Sequence, residues 1–255
     1  MISPDNDVDG LVAVLRALAE RHERQIRLLP GLTDAELDAC PVRVPDPERA
    51  LLRQVSGFWV GTAPGVYFGL GGERAIGEPS NWDHAFGGSP DCGPVGTSLF
   101  LHDPGNGDTY YVDVDPETGR WGAVFASSPD FYQFSLVYQA RSLTDWWRAL
   151  ADGIAADLGE GDSTDIDYMP GDSGSNLASA WDGRIPVVGA IPYKKLHGSL
   201  PREAAQSLSD LVAHALVVDL ASVVPPARLD IDYGEECERR GAGRFIVVPN
   251  PEYPR

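Results

Sequence analysis

Residues 107 to 125, GDTYYVDVDPETGRWGAVF, can fold into little other than an antiparallel hairpin. Tyr110, Val112 and Val114 alternate with Tyr111, Asp113 and Asp115, the period of two that sends successive side chains to opposite faces of a strand. Pro116, Glu117, Thr118 and Gly119 supply turn chemistry, and RWGAVFAS returns as the second strand. One face of the hairpin is expected to be apolar and the other wet and acidic. Asp113 and Asp115 stand two residues apart, which is about 7 Å along a strand. That separation suits the paired carboxylates of some hydrolases. An Asp-x-Asp that runs straight into a Pro-Glu-Thr-Gly turn is also ordinary hairpin chemistry, with Asp115 accepting from turn amides. The second reading is preferred, so Asp113 and Asp115 are not assigned a catalytic role.

The rest of the chain offers no better catalyst. His22, His84, His102, His197 and His214 form no metal-binding spacing, and His84 with His102 is the one pair worth naming. GLGGERAIGE lacks the GK[ST] ending of a phosphate loop, and neither a GxSxG elbow nor a dinucleotide fingerprint occurs. Asp162, Asp165, Asp167 and Asp172 miss the calcium-loop spacing. Cys40, Cys92 and Cys237 are far apart with no CxxC, and read as reduced thiols of a cytoplasmic protein. The expectation is a non-catalytic protein with no cofactor and no metal.

Charge narrows the partner. The 255 residues carry a net charge of −18, which argues against nucleic acid, because phosphate neutralisation needs clustered Lys and Arg. It equally disfavours anionic membrane surfaces. An acidic exterior attracts basic proteins and speeds their encounter, although solubility alone also accounts for such charge. No apolar run approaches the roughly 18 residues of a membrane span. The opening MISPDNDVDG is acidic where a signal peptide is basic.

The remaining elements follow from capping and periodicity. Leu11, Leu15, Leu18 and His22 mark a first helix capped by Asp7 or Asp9. Thr33 with Glu36 makes a capping box, and Leu32 staples onto Leu37, so a short helix starts at Asp34. In VPDPERALLRQVSG, Asp46 is the expected cap, Pro47 the first helical residue and Gly57 the terminator. Residues 57 to 107 read as short strands joined by turns, and LVYQA as a further strand. Ser142, with Asp145 three on, opens a helix whose stripe runs through Leu143, Trp146, Trp147, Leu150, Ile154 and Leu158. Eight acidic and no basic residues fall between Asp152 and Gly183, a composition for a surface loop. Downstream, RIPVVGAIPY, RLDIDY and RFIVVP read as strands, and residues 201 to 222 as a long apolar helix. The fold class is α+β: an antiparallel sheet from residues 57 to 140 packs against the N-terminal helices and a following Trp-rich helix. The domain plan is 1–158, an acidic linker at 159–183, and a helix-plus-strands extension at 184–255 on or flanking the main domain.

The order of GLTDAEL, VPDPERALLRQVSG, the hairpin and the Trp-rich helix resembles the SUKH superfamily, which includes the fungal Smi/Knr cell-wall-assembly regulators and bacterial immunity proteins. Asp113, Pro116, Gly119, Gly122 and Val124 match its strand pair, and Ala140, Ser142, Leu143, Asp145, Trp146 and Trp147 its helix. The resemblance spans residues 8 to 158 and departs from the family at Ser56 and at Cys40-Pro41-Val42. It implies binding rather than chemistry: neutralisation of a toxin domain, such as a basic nuclease, or a regulatory interaction as in the fungal branch. The surface expected to carry it is Tyr111, Asp113 and Asp115 on the wet hairpin face, with Trp82 and Asp83 as an aromatic anchor. The alternative from another class is a hydrolase using Asp113 and Asp115.

Overall fold

Asp7 starts the first helix by accepting the Gly10 N–H at 2.8 Å, and α1 (Val8–Arg21) buries Val8, Leu11, Val12 and Leu15. The structure, a computed structural model, describes residues 7–40, 43–61, 66–69, 97–102, 109–115, 118–127, 136–159, 185–231 and 237–248. After α1 the chain turns into β1 (Ile26–Pro30). The capping box is present as expected: Thr33 N–H donates to Glu36 Oε2 at 2.8 Å, Glu36 N–H to Thr33 Oγ1 at 3.3 Å, and α2 spans Asp34–Asp38. Leu32 and Leu37 are buried in one core.

The third helix differs from expectation by its ends. α3 (Asp46–Leu52) has Pro45 at its cap position with no side-chain cap bond, so Asp46 is helical and Pro47 follows it. It stops at Leu52 rather than at Gly57, because Val55–Val60 is wholly buried as β2. The junction is tight: a Cβ on Gly31 would lie 1.8 Å from the Arg53 carbonyl oxygen. β2 pairs antiparallel with β1 and with β3 (Val66–Gly69) in a sheet of their own, so the strands after residue 57 do not all share one sheet.

The main sheet holds β4 (Thr97–His102), β5 (Thr109–Val114), β6 (Trp121–Ser127) and β7 (Leu136–Ala140), in consecutive antiparallel order. Ser142 accepts the Asp145 N–H at 3.1 Å and opens α4 (Leu143–Gly159). Trp146 and Trp147 are buried beneath it, as the α+β plan requires. Trp146 stacks on Tyr110 with ring centroids 5.5 Å apart, and Trp147 meets Phe58 edge-on at 5.5 Å.

The C-terminal part is more deeply woven into the fold than an appended helix would be. β8 (Val187–Gly189) and β9 (Ile191–Pro192) come from RIPVVGAIPY, followed by α5 (Tyr193–Leu196). The long helix expected at 201 to 222 is absent. Its place is taken by α6 (Arg202–Gln206), a run of turns, β10 (Leu216–Asp219) and a 3₁₀ turn at Leu220–Ser222. The stripe that suggested a helix is divided: Leu208 and Val217 pack with Tyr193, Phe245 and Val247, while Val218 and Leu220 pack in another core. β-branched Val217 and Val218 suit the pleated ladder in which they lie. There β10 pairs with β9 on one side and with β13 (Phe245–Val248) on the other, and β12 (Glu238–Arg240) borders β13. β11 (Ala227–Asp230) instead joins the main sheet between β7, antiparallel, and β8, parallel. RLDIDY and RFIVVP therefore belong to different sheets.

The main sheet is covered on both faces. Tyr110, Val112, Val124 and Val137 meet the helices, while Tyr111, Phe125, Leu136 and Tyr138 meet Val218, Ile246 and Val248. The expected acidic linker falls outside the described residues apart from Gly159, which ends α4. Among the described residues, no helix is long and apolar enough to cross a membrane.

Candidate functional site

The hairpin forms as read, with Tyr111 opposite Phe125 and Val112 opposite Val124, and with a bulge between Val112 and Val114. Asp115 holds the turn: its Oδ1 accepts the Thr118 N–H at 3.1 Å and its carbonyl accepts the Gly119 N–H at 2.8 Å. Gly119 has φ +66°, the left-handed conformation that glycine adopts without steric cost. Asp115 thus serves the turn, as its sequence context indicated.

The face expected to be wet is not wet. Tyr111 is 1% exposed and Asp113 6%. The β12–β13 hairpin brings Arg239 onto that face, where its Nε and Nη2 donate to Asp113 Oδ2 at 2.9 and 2.7 Å. Nη2 also donates to the Gly243 carbonyl at 2.5 Å, and the guanidinium sits 5.4 Å from the centroid of the Phe125 ring. The physical reason is compensation: the carboxylate is buried because a fork of donors and an aromatic face are buried with it. Asp113 and Asp115 are consequently not a working pair, since one is sealed by Arg239 and the other holds a turn. Trp82 and Asp83, with His84 and Cys92, lie outside the described residues.

Several other arginines are also matched internally. Arg49 bridges Asp34 and Asp38, and Arg53 donates to Asp34 at 2.6 and 2.8 Å, tying α2 to α3. The Arg53 hydrogen bond holds the Asp34 carboxyl below its ordinary range. Arg244 makes a two-bond contact with Asp219 at 2.8 and 2.7 Å, and Arg240 joins Glu238 and Asp210.

Glu48 is the titratable group the sequence reading missed. It is 8% exposed, and burial pushes its carboxyl above the ordinary 4.5, against the opposing pull of its own backbone amide and of Arg120. A usable signal existed, for Glu48 precedes the buried Leu51 and Leu52 by three and four residues and so shares their side of α3. Its linkage has a definite sign. The folded state holds this proton to higher pH than the unfolded chain, so Glu48 costs nothing below its ordinary value and its full desolvation penalty above its folded one. Glu48→Gln is expected to raise the melting temperature at neutral pH, with the gain vanishing below pH 4.5. Melting curves across pH test this, and a gain that does not change with pH would show that desolvation of Glu48 is not its cause.

Among the described residues no group of three His, Cys, Asp or Glu side chains is arranged to hold a metal ion. No protein-family model, curated protein or solved structure matches the chain.

Proposed function

We propose that the protein is a non-catalytic, cytoplasmic binding module of the immunity-protein type, which neutralises a basic protein partner such as a nuclease toxin domain. The observation that carries this reading is charge. Pairing of Arg49, Arg53, Arg239, Arg240 and Arg244 with carboxylates cancels charge within the chain, and the excess of −18 remains for whatever approaches from outside. A nuclease surface is basic because it holds phosphate, so the two are complementary. The resemblance of residues 8 to 158 to the SUKH superfamily supports the same reading. Burial of Asp113 against Arg239 weighs against the hydrolase alternative. It also removes Tyr111 and Asp113 from the docking surface. Asp115, which is half-buried, stays on that surface, while Trp82 and Asp83 rest on the sequence alone.

The test is co-purification with the product of the neighbouring gene. Retention at low salt that weakens steeply at high salt is the expected result, because steering by exposed charges is screened. No retention at low salt would overturn the reading.

A further inference from the structure

Against this acidic background, a concavity among the described residues is lined by two arginines, Arg24 and Arg27. It lies where the turn after α1 meets the end of β2, opens to solvent with a volume of about 190 Å³, and is bordered by Glu23, Arg24, Gln25, Arg27, Trp59 and Gly61. Arg27 faces Trp59 across the β1–β2 ladder, and its guanidinium sits 5.4 Å from the centroid of the indole ring. Trp59 is 9% exposed and clusters with Leu29 apart from the main core. The Gly61 N–H donates to the Gln25 carbonyl at 2.7 Å and closes the end of the hollow.

Unlike the five arginines paired above, neither Arg24 nor Arg27 makes an ion pair among the described residues, although Glu23 stands on the same wall. The ionisable side chains of the wall leave a net single positive charge. The Arg27 guanidinium beside the indole, with the exposed Arg24 on the same wall, suits a planar, singly charged acceptor, which arginine binds through paired N–H groups. The volume is that of about six waters, enough for one carboxylate and the waters that bridge it.

We propose that this concavity is a carboxylate-binding site, occupied by a small organic acid or by an acidic side chain of a partner. The site goes beyond the proposed docking of a basic protein and does not depend on it, for the two require opposite charge and fail separately.

The experiment follows the arginine Nε–Hε and tryptophan indole N–H resonances of the full chain. Sodium acetate and N-acetyl-aspartyl amide are titrated against sodium chloride of equal ionic strength, with inorganic phosphate in parallel. Saturable shifts at Arg24, Arg27 and Trp59 are expected, with a dissociation constant on the order of millimolar. R24Q/R27Q should weaken acetate binding about tenfold or more. R16Q/R21Q, which removes two exposed arginines of α1 outside the concavity, should leave it unchanged. Binding of both carboxylates supports an acid carried on a chain as well as a free one, and binding of acetate alone supports a site for free acids. Shifts with phosphate only, shifts matched by chloride, or equal losses in the two double variants would each overturn the proposal.

Discussion

Replacing Arg239 by methionine is expected to destabilise the protein by about 3–5 kcal/mol, and removing Asp113 as well should restore most of the loss. The two side chains are 9% and 8% exposed and make a two-bond contact 126 residues apart in sequence. Without Arg239, the Asp113 carboxylate is left in the core between β5 and the C-terminal sheet with no cation to meet it. The desolvation cost of that charge then dominates, because a buried ion pair gives little net stability intact but is expensive to halve. Asp113→Leu/Arg239→Met removes both charges and leaves apolar side chains beside Phe125, a replacement that is often neutral or better. Denaturant unfolding of the two single variants and the double variant measures the coupling. A single-variant loss below about 1 kcal/mol would place the pair in water and leave the C-terminal sheet unseated on this face.

Trp147→Ala should cost a similar amount, about 3–5 kcal/mol, for a different reason. The indole is fully buried and lies edge-on to Phe58, so it joins α4 to β2 as well as to the main sheet. Truncation removes the transfer energy of a large side chain and leaves a cavity that two packed elements cannot easily close. In a chain of this size the loss corresponds to a fall in melting temperature of about 6–20 °C. Retention of the wild-type melting temperature would mean that α4 does not rely on this contact.

What could be read from the sequence shares a physical property: its cause lies within a few residues. Asp7, Thr33 with Glu36, and Ser142 each satisfy amides three positions away, and the β5–β6 alternation is complete across one turn. The errors have distant causes. Residues 201 to 222 carry apolar spacing fit for a helix, but Val217 lies opposite Val247 and Val218 opposite Ile246 in a ladder that local periodicity does not encode. Alternation likewise divided Tyr111 and Asp113 from Val112, yet gave no sign that strands beyond residue 215 would cover them. Within the candidate site, Asp115 was legible because its partner is Thr118, whereas Asp113 was not because its partner is Arg239.

The position of β11 beside β7 sets a timetable for the chain as it is made. Ala140 leaves the ribosome roughly 90 residues before Ala227, an interval of about 4–17 s at ordinary rates of synthesis. Throughout it, Leu136–Ala140 is an open strand edge, and Tyr111, Phe125 and Tyr138 lack their cover of Val218 and Ile246. Nascent chains on one messenger can pair through such edges, so the order of the strands makes the first 140 residues the aggregation-prone part of the chain until the last strands arrive.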